Sequence, residues 1–237
     1  MTLRIGILET GRPPEDLLNR HGDYPQLVED WVAPLGGESR SYAVLDGEFP
    51  ESASDADLWV ITGSRHGVYE DHDWIPPLEQ FIREVRDAGG KMFGICFGHQ
   101  IIAQALGGKV EKSAKGWGTG VHCYDLADDW PEKLGVPLSE GLAMQVFHQD
   151  QVIDKPEDAA TLASSAFCDY AALWYPDFAV TVQGHPEYTP EFARDLIEAR
   201  RELVLVGRDP ETAFEETRAS TTREALALWL RDTLNKI

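Results

Sequence analysis

The sequence predicts an α/β fold with a mostly parallel central sheet, helices flanking it on both faces, and a smaller antiparallel portion. Three observations carry that prediction. Short apolar runs such as Leu58–Thr62 alternate with helix-period segments such as Trp74–Ala88, the pattern of βα units. Between Val110 and Gly184 the pattern changes to period-two alternation, as antiparallel strands show. From Pro190 onward the spacing is helical again.

In chain order, Leu3–Leu8 reads as the first strand. Tyr24–Leu35 reads as a helix with Leu27, Val28, Trp31 and Leu35 on one face. Leu58–Thr62 is a buried-type strand that stops at Gly63-Ser64. Trp74–Ala88 sets Ile75, Leu78, Ile82 and Val85 along one side, and Gly89-Gly90 ends it. Lys91–Ile95 is the next strand and Gly98–Leu106 the helix after it. Thr119–Leu126, Ala143–Phe147, Ala171–Tyr175 and Phe178–Val182 are the candidates for the antiparallel portion. In the tail, Glu191–Val206 and Arg223–Leu234 have helical spacing, with Pro210 and Ser220–Thr222 as breakers. No repeat or linker divides residues 1–237, so a single domain is expected, closing on a helical tail over 190–237.

Composition narrows the function. A chain of 237 residues buries a core without needing disulfides or a metal. Lys and Arg total 21 against 41 Asp and Glu, a formal charge of -20 that repels phosphate backbones and anionic membranes. Neither nucleic acid nor membrane is therefore expected as a partner. Cys96, Cys123 and Cys168 show no paired spacing and fit a reducing compartment. The N-terminus runs straight into a strand pattern, and no stretch approaches the roughly 18 apolar residues of a membrane span, so a cytoplasmic location is expected.

The chemistry is carried by Lys91-Met-Phe-Gly-Ile-Cys-Phe-Gly-His-Gln-Ile-Ile102, a strand, a cysteine between two close glycines, and a helix. This is a nucleophile elbow: the sharp turn lifts the Cys96 side chain above the sheet, and the helix N-terminus behind it favours the thiolate. The next backbone N–H, that of Phe97, is placed to serve an oxyanion hole. A cysteine on its own is more often core than catalyst, so a base is required. Phe178–Glu187 supplies one: an apolar strand ends in Gly184-His185-Pro186-Glu187. Pro186 keeps the preceding residue extended, so His185 and Glu187 project to the same side. Glu187 then fixes the tautomer with which His185 takes the Cys96 proton. The order Cys96, His185, Glu187, with the last two adjacent, differs from that of α/β-hydrolases.

The pairing of Gly-Ile-Cys-Phe-Gly-His-Gln with a later Gly-His-Pro-Glu resembles the class I glutamine amidotransferase family, and the likeness spans nearly the whole chain. It also takes in the Ile61-Thr-Gly-Ser64 loop and Phe147-His-Gln-Asp150. The resemblance implies a flavodoxin-like domain and a Cys96–His185–Glu187 triad. It implies a second oxyanion donor at the Gly63 N–H, beside Phe97, and substrate contacts from Gln100, Ser64 and Phe147-His148-Gln149. Two departures stand out: Phe147 and Gln149 replace a usual serine and glycine, and Arg65 stands where many members have proline.

The expected reaction is hydrolysis of the γ-amide of glutamine through a γ-glutamyl thioester, with ammonia passed to a synthase partner as in the amidotransferase domain of GMP synthase. The alternative is a stand-alone hydrolase of γ-glutamyl peptides or amides, since several stretches look like the plant γ-glutamyl peptidases of the same family. A non-enzymatic interaction module on the same fold is the third reading. No cofactor is expected, because Gly107-Gly108 and Gly116–Gly120 match neither nucleotide-binding glycine motif. No metal is expected either, His66, His72 and His99 being dispersed among loop and helix. Asp128-Asp129 and Glu215-Glu216 read as solvated charge.

Overall fold

The computed structural model describes residues 2–128, 130, 134–135 and 141–237. In chain order the elements are β1 (Arg4–Leu8), α1 (Glu15–His21), α2 (Tyr24–Val32), β2 (Glu38–Tyr42), β3 (Leu58–Ile61), α3 (Ile75–Asp87), β4 (Met92–Ile95) and α4 (Phe97–Ala105). There follow β5 (Lys109–Lys112), β6 (Gly118–Leu126), β7 (Leu142–His148), β8 (Asp150–Asp154), β9 (Ala160–Ser164), β10 (Ala172–Tyr175) and β11 (Ala179–Val182). The tail holds α5 (Pro190–Ala199), α6 (Arg201–Val204), α7 (Pro210–Glu216) and α8 (Arg223–Thr233).

The main sheet has the order β2-β1-β3-β4-β11-β10-β9-β6-β7, with β5 and β8 pairing separately. From β2 to β11 every neighbour is parallel; from β11 through β7 every neighbour is antiparallel. The α/β expectation is met, with one correction. Phe178–Val182, grouped by its alternation with the antiparallel region, is the seam: β11 lies parallel to β4 and antiparallel to β10.

Strand alternation sorts the core into two layers. Ile5, Ile7, Leu58, Val60, Phe93 and Ile95 point to the face covered by α2 and α8. Leu8, Trp59, Ile61 and Met92 point to the opposite face, against Leu78, Ile82 and Val85 of α3 and Ile101 and Ile102 of α4. Both faces of β3 and β4 are thus buried, which is why these strands read as unbroken apolar runs.

Several elements escaped the periodicity. β2 is a polar edge strand, exposed at four of its five residues. Pro210 opens α7 rather than breaking the chain: Asp209 caps the helix by accepting the Thr212 N–H at 2.9 Å, and proline is at home in a first turn. Arg200 divides the expected Glu191–Val206 helix into α5 and α6. Asp128 is exposed and Asp129 lies outside the described residues. Glu216 is half-buried and ion-paired with Arg208 rather than solvated.

Register decides where the site forms. Val182 pairs with Ile95, and Gly94 with Ile61, so β11, β4 and β3 end together. The residues just beyond those ends are His185, Cys96 and Gly63. This is the carboxyl edge of a parallel sheet, where α/β folds place their ligands.

Candidate active site

Cys96 joins β4 directly to α4 with φ 51° and ψ -99°, a left-handed conformation that a non-glycine residue adopts only when its surroundings compel it. The compulsion is visible in the glycines. A Cβ on Gly94 would lie 2.7 Å from the Gly98 backbone, and one on Gly98 would lie 2.5 Å from the Ile61 carbonyl oxygen. The helix can approach the sheet closely enough to make the elbow only because both side chains are missing. The Cys96 N–H donates to the Val182 carbonyl at 2.9 Å, tying the elbow to β11.

His185 is held at its backbone by donation to the Gln145 carbonyl of β7 at 2.8 Å. Its Nδ1 lies 2.7 Å from Glu187 Oε1, and both side chains are 2% exposed. The opposite ring nitrogen, Nε2, meets no nitrogen or oxygen partner among the described residues and is left to the Cys96 sulfur. Burial opposes a charge on His185, but the carboxylate of Glu187 and then the Cys96 sulfur outweigh it, and its pKa is raised. Gly63 closes the group: a Cβ there would sit 2.9 Å from His185 Cε1 and 3.9 Å from Cys96 Cβ. The Gly63 N–H has no backbone acceptor among the described residues. Phe97 is the first residue of α4, so its N–H has no acceptor within the helix. Gly63 and Phe97, both close neighbours of Cys96, thus each carry an N–H without a backbone acceptor among the described residues.

The remaining predicted contacts are braces as well as pocket lining. Gln100 donates from Nε2 to the Asp150 carbonyl at 2.9 Å and to Gln183 Oε1 at 3.1 Å, so it fastens α4 to β8 and to the end of β11. The Ser64 hydroxyl donates to the Thr10 carbonyl at 2.7 Å and accepts the His66 N–H at 3.2 Å, shaping the loop after β3. Phe147 packs against Trp117 with ring centroids 5.4 Å apart. His148 Nδ1 donates to the Asp150 carbonyl at 3.0 Å, and Gln149 lies on the same wall. With Cys96 and His185 these residues line a cavity of about 410 Å³.

Periodicity and motif together missed Tyr188. Its ring stacks flat under His185, 4.0 Å between centroids at 7°, and is itself supported by Phe192 at 4.5 Å. The only signal was an aromatic three residues after the histidine. Also missed was the meeting of His66 and His72: both imidazoles point at Glu70 Oε2, at 3.0 and 2.9 Å. The expectation that the histidines are dispersed is corrected for these two, because a tight loop brings them together. His99 is fully buried beneath the elbow, with Nδ1 2.7 Å from Thr181 Oγ1.

His99 and His148 respond to pH in the direction opposite to His185. Burial pushes each down to about 3. In the unfolded chain each takes up a proton below about pH 6.5, and in the folded protein neither does until far lower. Stability is therefore lost as pH falls from about 6.5, by about 2 kcal/mol per histidine at pH 5. His185, raised in the fold, is already protonated there while the unfolded chain is still taking up its proton, so its contribution grows as pH falls toward about 6 and offsets part of this loss. The urea midpoint is expected to drop between pH 7 and pH 5, and to drop less in His148→Gln. An unchanged midpoint would contradict the burial of neutral rings.

The family model for glutamine amidotransferase class-I matches residues 45–200. Gamma-glutamyl peptidase 4 of Arabidopsis thaliana is 34% identical over 209 residues, covering 85% of this chain and 80% of its own. GMP synthase [glutamine-hydrolyzing] of Macrococcus caseolyticus is 31% identical over 144 residues, 58% of this chain but 26% of that larger protein. Among solved structures, a glutamine amidotransferase of Thermotoga maritima superposes with TM-score 0.81 over 100% of both chains at 22% identity, a likeness of fold.

Proposed function

The chain belongs to the glutamine amidotransferase class-I family, and on that premise we propose that it is a stand-alone γ-glutamyl hydrolase whose nucleophile is Cys96. The observation that carries this choice is the cavity around Cys96 and the charge on its rim. At about 410 Å³ it lies within the range of about 300–1,000 Å³ typical of ligand pockets, and so has room for a dipeptide. In a protein of charge -20, Arg65, Lys112 and Arg200 all line this cavity, and none has an ion-pair partner among the described residues. Uncommitted cations there suit a substrate with carboxylates at both ends, as a γ-glutamyl dipeptide has. The relatives named gamma-glutamyl peptidase, 34% identical, support the same reading.

In this mechanism His185 takes the Cys96 proton through Nε2 while Glu187 holds Nδ1–H. The sulfur attacks the γ-carbonyl carbon, and the oxyanion is met by the N–H groups of Gly63 and Phe97, each worth about 2.7–4 kcal/mol of barrier in such sites. His185 returns its proton to the departing amine, the C–N bond breaks, and a γ-glutamyl thioester remains on Cys96. Water then loses a proton to His185, attacks the thioester carbonyl and releases glutamate, and the proton returns to sulfur.

Glutamate release should be measured from γ-glutamyl dipeptides and from free glutamine. The dipeptides are expected to be cleaved with the higher kcat/KM. In Lys112→Ala/Arg200→Ala, KM for a dipeptide is expected to rise about tenfold, the two exposed contacts contributing roughly 0.7 kcal/mol each. Slow hydrolysis of glutamine with no dipeptide turnover would instead identify a subunit that passes ammonia to a synthase.

A further inference from the structure

The loop after β3 assembles a set of ligating side chains that the γ-glutamyl chemistry does not use. Its turns fold the chain back on itself: the Glu70 N–H donates to the Gly67 carbonyl at 3.0 Å, and the Ile75 N–H to that of His72 at 3.0 Å. His66, Glu70 and His72 thereby come together with their ligating atoms within 4.8 Å of one another. Glu70 Oε2 faces His66 Nδ1 at 3.0 Å and His72 Nε2 at 2.9 Å. The imidazoles meet edge to face with centroids 4.2 Å apart, and His72 stacks on the buried ring of Trp74 at 5.8 Å and 15°. The cluster is preorganised by packing yet open to solvent, its side chains 21%, 42% and 32% exposed.

We propose that His66, Glu70 and His72 form a binding site for a divalent transition metal of the zinc class at the lip of the Cys96 cavity. Two imidazoles and one carboxylate are a nitrogen–oxygen donor set of the kind zinc takes, and three protein ligands leave a fourth position for water. Zinc–nitrogen bonds of about 2.0–2.1 Å in a tetrahedron place donors about 3.3 Å apart. The two contacts to Glu70 need to open by a few tenths of an ångström, which exposed side chains on a loop can give. The two rings now share one carboxylate oxygen through their N–H groups. On metal binding, the ligating nitrogens present lone pairs instead and the ring protons move to the opposite nitrogens. For His66 that nitrogen is Nε2, which now faces the Arg65 Nε at 3.4 Å. Arg65 is exposed and swings away. The metal's positive charge is welcome on this loop, where Asp71 and Asp73 flank His72. Because His66 and Glu70 also wall the cavity, occupancy fixes its rim.

The test is equilibrium dialysis of the metal-free full chain against Zn²⁺, with Co²⁺ absorption as a second readout of coordination. Competing thiols are removed by using Cys96→Ala/Cys123→Ser as the parent. One equivalent of Zn²⁺ is expected, with Kd raised at least about tenfold in Glu70→Gln and in His72→Gln. Thermal midpoints measured without metal identify any variant that has failed to fold, and His66→Gln then serves in its place. A tetrahedral Co²⁺ spectrum that disappears in the same variants supports the site. Absence of binding by the parent, or binding that survives all three ligand substitutions in folded protein, overturns it.

Discussion

Cys96→Ala is expected to lower kcat for γ-glutamyl hydrolysis by about 10⁴–10⁶-fold, the loss seen when a nucleophile is removed from a coupled triad. The elbow should persist, because it is held by the backbone bond to Val182 and by the contacts at Gly94 and Gly98, not by the sulfur. No second thiol substitutes. Cys168 is buried, and burial pushes its pKa up to about 12, far from a thiolate at neutral pH. Cys123 is exposed on β6, outside the residues that line the cavity. Residual activity should come from binding and the oxyanion donors alone. The check is steady-state kinetics beside a thermal melt: activity within tenfold of wild type, in folded protein, contradicts the role given to Cys96.

Glu187→Gln should cost about 10³–10⁴-fold in kcat while leaving KM nearly unchanged. The substitution keeps the volume of a side chain that is 2% exposed but puts an amide against His185 Nδ1. If the amide N–H₂ faces Nδ1, that nitrogen becomes the acceptor and the ring proton moves to Nε2, where it blocks proton transfer from Cys96. If the amide oxygen faces Nδ1, the hydrogen bond survives without its charge, and the carboxylate that raises His185 is gone. The acid limb of the pH–rate profile should therefore shift with kcat, a change that a purely structural role for Glu187 would not produce. A kcat within tenfold of wild type with an unshifted profile would remove Glu187 from the mechanism.

What the sequence made legible follows from where each residue's information sits. β3, β4, α3 and α4 announce themselves because burial on both sheet faces demands apolar runs, and the elbow demands its glycines. Cys96, His185 and Glu187 were readable as a set because two of them are adjacent and the third closes a strand. Register brings the two strand ends together, and no single-strand pattern encodes that. β2 was invisible because an exposed edge strand of Glu, Ser, Arg, Ser and Tyr carries no apolar alternation. Pro210 misled because proline breaks a helix interior but favours a first turn, and only the Asp209 cap distinguishes the two. Gln100 and Ser64 read as substrate contacts, whereas their hydrogen bonds also hold the framework; that division depends on partners 50 and 54 residues away. Tyr188 and the His66–Glu70–His72 cluster depend on ring orientation and loop closure, which spacing does not specify.

The proposed mechanism turns on a γ-glutamyl thioester at Cys96, and acid quenching during turnover of a γ-glutamyl dipeptide traps it most directly. Peptide mass spectrometry is expected to find one γ-glutamyl group on the peptide containing Cys96, removable by hydroxylamine and missing from Cys96→Ala. Turnover that continues in Cys96→Ala, with no γ-glutamyl group on any peptide of the wild-type protein, would contradict the account.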